Sequence, residues 1–174
     1  MDLVYKLINN DQEMTDSLNI IRESFATVAE DFNLTRENAP TNPAFIERAH
    51  LQKMQEEGIL MLGVFCEMLQ IGFVAIEKNE TNGYQMKRLA VLPEYRHKGY
   101  GRQIVEHVAN YVTKQRGEAV LISVIGDHTI LKSWYHELGF IESDTKLFSH
   151  LPFPVCYMEK RITAQYGHIR NRNT

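Results

Sequence analysis

Residues 89–101 read Leu-Ala-Val-Leu-Pro-Glu-Tyr-Arg-His-Lys-Gly-Tyr-Gly, and the fold turns on what this stretch does. Tyr84 to Val91, coming after the Asn79 to Gly83 turn, reads as a strand, which Leu92-Pro93 ends. From Gly99 to about Arg116 the pattern becomes helical, with Ile104, Val105, Val108, Tyr111 and Val112 forming an apolar stripe and Gly117 closing the helix. A strand that feeds directly into a helix leaves several backbone N–H groups unpaired and aimed into one small volume. Gly99 and Gly101 let the main chain approach an anion without a Cβ clash, and Arg96 and Lys98 add positive charge at the rim. The turn therefore reads as a phosphate-binding site.

Working outward, Ala119 to Ile125 is a nearly unbroken apolar run, as expected of a parallel strand covered on both faces. With the strand and helix before it, it makes a right-handed crossover unit. Thr129 to Leu138 is a further helix stopped by Gly139, and Val155 to Ile162 a last strand. Upstream, Leu3 to Ile8 reads as a strand, and Leu18, Ile21, Arg22, Phe25 and Val28 mark one face of a helix reaching roughly Phe32. The polar stretch from Asn33 to Pro43 is a loop, and Pro43 to Glu57 a second helix before Gly58. Ile59 to Phe65 and Ile71 to Ile76 form an antiparallel pair across the Glu67 to Gln70 turn. The order read this way is β, α, α, β, β, β, α, β, α, β.

The chain has 174 residues, a length suited to one domain, and its formal charge of −3 carries no basic excess for nucleic acid. Cys66 and Cys156 lie in apolar, strand-like surroundings without CxxC spacing, which argues against a disulfide framework or a zinc site and fits a reducing cytoplasm. None of the histidines has metal-ligand spacing, so no metal is expected. No run approaches the ~20 apolar residues of a membrane span. The dinucleotide fingerprint would need a third glycine near Ile104 and an acid about 20 residues later, and a P-loop would need Gly-Lys-Ser/Thr; neither is present.

Leu89 to Gly101 resembles the motif of the GNAT acetyltransferase superfamily in which a strand leads into Arg/Gln-x-x-Gly-x-Gly/Ala, and the wording of the Asn33 to Pro43 loop resembles a bacterial branch of it. Trp134-Tyr135 and Leu138-Gly139-Phe140 match the family's later Phe-Tyr-x-x-x-Gly-Phe helix. The resemblance is specific over roughly Ile71 to Phe140 and only topological before that. It implies an α/β fold of one domain over residues 1–162, with a mixed central sheet of about six to seven strands flanked by about four helices; residues 163–174 read as a polar tail by their composition.

It further implies an acetyl-CoA-dependent N-acetyltransferase. Leu89, Ala90 and Val91 would hold the pantetheine arm through main-chain groups, and Arg96, His97, Lys98, Gly99, Tyr100, Gly101 and Arg102 the pyrophosphate. His128 stands where the family often has Asn, and from there would reach coenzyme A. Tyr135 would assist departure of the thiolate, and Gln85 stands where the family often has a glutamate base. The acceptor is expected to be a primary amine on a small molecule or peptide, with Phe32, Thr35, Glu37, Asn38 and Lys87 as its lining residues. Gln85 in place of a carboxylate leaves a second reading open, a non-catalytic sensor of acyl-CoA. The Leu151 to Pro154 segment fits either a homodimer edge or a loop packed on its own domain.

Overall fold

The computed structural model describes residues 3–162. The chain begins with β1 (Leu3–Leu7) and α1 (Asp11–Asp31), the latter started by Asn10, whose side chain accepts from the Glu13 N–H. A 3-10 turn at Pro43–Phe45 precedes α2 (Arg48–Glu56), and β2 (Leu60–Cys66), β3 (Leu69–Lys78) and β4 (Gly83–Val91) come next. The crossover consists of α3 (Tyr100–Lys114) and β5 (Ala119–Ile125). Then come α4 (Thr129–Glu137), β6 (Ile141–Lys146) and β7 (Val155–Arg161).

The strands form one seven-stranded sheet in the order β1-β2-β3-β4-β5-β7-β6. Every pairing is antiparallel except that of β4 with β5. Helices cover both faces. On one, Met14, Leu18 and Ile21 of α1 and Leu51 and Met54 of α2 pack with Phe73, Ala75 and Ala90. On the other, Ile104, Val105, Val108 and Val112 of α3 join Tyr135, Leu138 and Phe140 over Tyr84, Met86, Val120 and Ile122. The four α3 residues are fully buried, each contributing roughly 1.5–3 kcal/mol of transfer free energy.

The α/β fold and its mixed sheet agree with the sequence reading, but β6 has no counterpart in it. Its residues, Ile-Glu-Ser-Asp-Thr-Lys, are all exposed, so no apolar alternation marks them. They form the polar outer edge of the sheet, where charge discourages further strand addition. The second helix is also shorter than its periodicity suggests. The chain is extended at Ile46 and Glu47, and the helix starts only at Arg48 through a reciprocal cap between Glu47 and His50. The tail at 163–174 lies outside the described residues.

One irregularity shapes the functional face of the sheet. Ala75 lies opposite Lys87 but Phe73 lies opposite Ala90, so Val74 alone faces two residues, Arg88 and Leu89. Arg88 takes a left-handed backbone conformation, φ 51°. This bulge reverses the alternation of β4. Before it, Tyr84 and Met86 face α3; after it, Leu89 and Val91 do, while Ala90 and Leu92 face α1. Gly72 permits the strand contact here, because a Cβ on it would stand 2.6 Å from the Ala90 carbonyl oxygen.

Candidate active site

The two central parallel strands pair only through Gly83–Ala119, Tyr84–Val120 and Gln85–Leu121. Beyond these pairs they part, and a cleft of roughly 1500 Å³ opens between them. Met86 to Leu89 and Val91 line one side and Ile122 to Ile125 the other. Phe25, Thr27 and Val28 of α1 reach it from one face of the sheet, and Leu131, Trp134 and Tyr135 of α4 from the other. The facing edge of β4 thus offers unpaired main-chain groups to an extended ligand, as a sheet edge offers them to an added strand.

At one end stands the start of α3. Its first internal hydrogen bond runs from the Gln103 N–H to the Gly99 carbonyl, 3.1 Å, so the N–H groups of Gly99 to Arg102 have no acceptor within the helix. No acidic residue occupies the first turn, leaving the positive helix end for an external anion. His97 and Gly99 both have left-handed backbone, φ 59° and 81°, and the space beside Gly99 is open. Gly101 lies against Trp134, whose Cζ2 would be 3.1 Å from a Cβ there. That contact joins the two sequence motifs in space.

Of the predicted coenzyme residues, Leu89, Val91, Arg96, His97, Gly99, Gly101, Arg102 and His128 line the cleft; Ala90, Lys98 and Tyr100 do not. Ala90 is buried at 1% exposure, Lys98 lies over the Tyr95 ring, and the Tyr100 hydroxyl meets Cys66 Sγ at 3.5 Å. Arg96 is turned inward. Its guanidinium donates to the Val91 carbonyl (3.1 Å), Thr27 Oγ1 (2.9 Å) and the Ser24 carbonyl (2.5 Å), tying the turn to α1. His128 is the N-cap of α4, with Nδ1 accepting from the Leu131 N–H at 3.4 Å. Burial holds its imidazole below the ordinary histidine range despite opposing pull from Asp31.

Tyr135 is 6% exposed and packs edge-on against Trp134 and Phe140. Among the described residues its phenol has no hydrogen-bond partner in the protein, and burial pushes its pKa well above the ordinary tyrosine value. It stays protonated and available as a donor. Gln85 and Lys87 line the opposite, α1-facing side of the cleft. Gln85 lies directly across from Glu77, which is ion-paired with Lys87.

The predicted acceptor residues fare differently. Of them only Lys87 lines the cleft. Thr35, Glu37 and Asn38 are occupied in closing their own turn: Asn38 Oδ1 accepts from the Thr35 N–H, and Thr35 Oγ1 from the Glu37 and Asn38 N–H groups. Phe32 packs on the His128 ring at 5.3 Å. The loop instead contributes Ala39, Thr41, Asn42 and Pro43. Glu77, Arg88, Leu151 and Phe153 also line the cleft, though sequence reasoning did not assign them there. The β-bulge that presents Arg88 has no sequence signal, since a glycine would ordinarily announce it. Among the described residues, no cluster of three or more His, Cys, Asp or Glu is placed to hold a metal ion, and no helix is long and apolar enough to cross a membrane.

The sequence profile of the Acetyltransferase (GNAT) domain matches residues 62–142, spanning β2 to the start of β6. Over those residues the chain is similar to the GNAT acetyltransferase domain. No curated protein matches it significantly in sequence. Solved structures share its fold at low identity. The ribosomal-protein-S18-alanine N-acetyltransferase from Escherichia coli is 14% identical, with 97% of this chain and 99% of that one covered and a TM-score of 0.73. The PaiA N-acetyltransferase from Thermoplasma acidophilum, in complex with coenzyme A, is 20% identical over 92% and 99%, TM-score 0.68. The spermidine N-acetyltransferase from Vibrio cholerae, with CoA and spermine, is 14% identical over 93% and 96%, TM-score 0.71. The fold is thus the one these acetyltransferases share.

Proposed function

We propose that this protein transfers the acetyl group of acetyl-CoA to a primary amine by direct attack in a ternary complex. The observation that carries this reading is the parting of β4 and β5 between an uncapped, acid-free helix start and a buried tyrosine. The α3 amides take the pyrophosphate. The free edge of β4 takes the pantetheine amides, bringing the thioester between the strands beside Tyr135.

The amine enters from the α1 face. Its nitrogen attacks the thioester carbonyl carbon, a C–N bond forms, the C–S bond breaks, and one amine proton leaves. Main-chain N–H groups near Ala90 stabilise the oxyanion. An amine with pKa near ~10 is only about 0.1% neutral at pH 7, so its proton must be accepted. Gln85 cannot accept it, but holds the water that does. Tyr135 is a weaker acid than a thiol of pKa ~8.5, so its contribution is a hydrogen bond to the departing thiolate rather than complete proton transfer.

The test is release of free thiol from acetyl-CoA across polyamines, amino acids, aminoglycosides and peptide N-termini. Amine-dependent release is expected, and Gln85→Glu, which installs a proton acceptor, should raise turnover below about pH 8. Thermal stabilisation by acetyl-CoA without thiol release from any amine would favour the sensor reading. Stabilisation by a dinucleotide but not by coenzyme A would overturn both.

A further inference from the structure

We infer that the acceptor carries an anionic group, a carboxylate or a phosphate, which pairs with Arg88. Four Lys and Arg side chains line the cleft: Lys87, Arg88, Arg96 and Arg102. Lys87 has Glu77, Arg96 has three oxygen acceptors, and Arg102 stands at the α3 start beside the proposed phosphate site. Arg88 has no comparable partner. Its one hydrogen bond among the described residues goes from Nη1 to the thioether sulfur of Met54, 2.9 Å, a weak acceptor without charge. Nε is buried with no acceptor among the described residues. Burial lowers the guanidinium pKa, with no carboxylate acting to raise it.

A guanidinium remains charged in proteins, so largely burying one without a counter-charge is costly. The backbone adds to this cost. Arg88 has φ 51°, a conformation that glycine or asparagine would adopt with less strain. The bulge could therefore form more favourably without an arginine, and the side chain itself needs a reason. Its position supplies one: Met54 belongs to α2, so Arg88 projects to the α1/α2 face, from which the acceptor enters, away from the α3 start. A planar fork of N–H donors matches a carboxylate or phosphate oxygen pair.

The inference rests on the acetyl-transfer reading for the nature of the anion's carrier, whereas the unpartnered charge is a property of the protein alone. Two kinds of measurement separate them. The first is thermal melting of ligand-free wild type, Arg88→Met and Arg88→Lys. Removing an uncompensated charge while keeping similar bulk should raise the melting temperature of Arg88→Met by about 3 °C or more, with Arg88→Lys nearer wild type. With coenzyme A present, N-acetylglycine, N-acetyl-β-alanine and N-acetylaminoethyl phosphate should stabilise wild type more than Arg88→Met. N-acetylglycinamide should act alike on both.

The second is thiol release with glycine, β-alanine, 4-aminobutyrate and 2-aminoethyl phosphate, each amino acid set against its neutral amide. At least one anionic amine should exceed its neutral partner by about 10-fold or more in kcat/KM, and Arg88→Met should abolish that preference mainly through KM. The favoured anion in the series identifies carboxylate or phosphate. Turnover with amides equal to acids in wild type, and with 2-aminoethyl phosphate no better than the amides, overturns the inference while leaving acetyl transfer standing. Ligand-dependent stabilisation specific to Arg88 without any thiol release supports the anion site and removes the acetyl-transfer reading. A lower melting temperature in Arg88→Met, or no anion in the series distinguishing the variants, overturns the inference.

Discussion

Tyr135→Phe removes one oxygen atom from the lining of the cleft. The ring is held by edge-on contacts with Trp134 and Phe140, and those contacts survive the change. The phenol has no hydrogen-bond partner among the described residues, so folding should lose nothing with it. A hydrogen bond to an ionised group is worth about 1.5–3 kcal/mol, and about 1.36 kcal/mol corresponds to a tenfold change in rate. Loss of a donor to the departing thiolate should then lower turnover by about 10- to 150-fold. Chromogenic thiol release gives kcat and the KM for acetyl-CoA, and a melting curve on the same sample gives stability. The expected result is a fall in kcat with KM for acetyl-CoA within about twofold and an unchanged melting temperature. Turnover within about threefold of wild type would remove Tyr135 from the mechanism. A fall in melting temperature accompanying the loss of activity would count against the reading differently, by making Tyr135 a packing residue.

Gly72→Ala should cost about 1–3 kcal/mol and lower the melting temperature by several degrees, because its Cβ would meet the Ala90 carbonyl oxygen at 2.6 Å and neither backbone can yield alone. An unchanged melting temperature would show that the bulge tolerates more separation than its geometry implies. Stability should also fall as pH drops from about 7 to 5. Burial depresses the pKa values of His107 and His128 in the folded state, so the unfolded chain binds protons first; the contribution is present above about pH 6.5 and is lost as pH falls through the depressed values. Melting curves of wild type and His107→Gln/His128→Asn should differ in pH slope over that range, and equal slopes would exclude these two histidines as the source.

The strand, anion turn and helix from Tyr84 to Lys114 are legible in the sequence because local chemistry dictates them. Pro93 ends the strand, Gly99 supplies a left-handed residue, and an apolar stripe at helical spacing defines the helix beyond it. The Trp134-Tyr135 and Gly139-Phe140 pairs are equally readable, as is the α/β class. By contrast, β6 leaves no trace, since a polar edge strand has no buried face to impose alternation. Arg96 reads as a ligand for phosphate because a cation beside a phosphate turn looks like one; its three acceptors come from residues 5 to 72 positions away along the chain.

The local chemistry of the α3 start, meaning which amides are unpaired and which tyrosine comes after them, was therefore determined by the sequence alone. Only the tertiary structure decided how the cleft is walled. The parting of β4 from β5, the parity reversal at Arg88 and the entry of Leu151 and Phe153 into the lining all depend on pairings between distant segments. A bulge shifts which face each side chain takes without altering the residues' local preferences, and so the lining of the cleft emerges only once the strands have met.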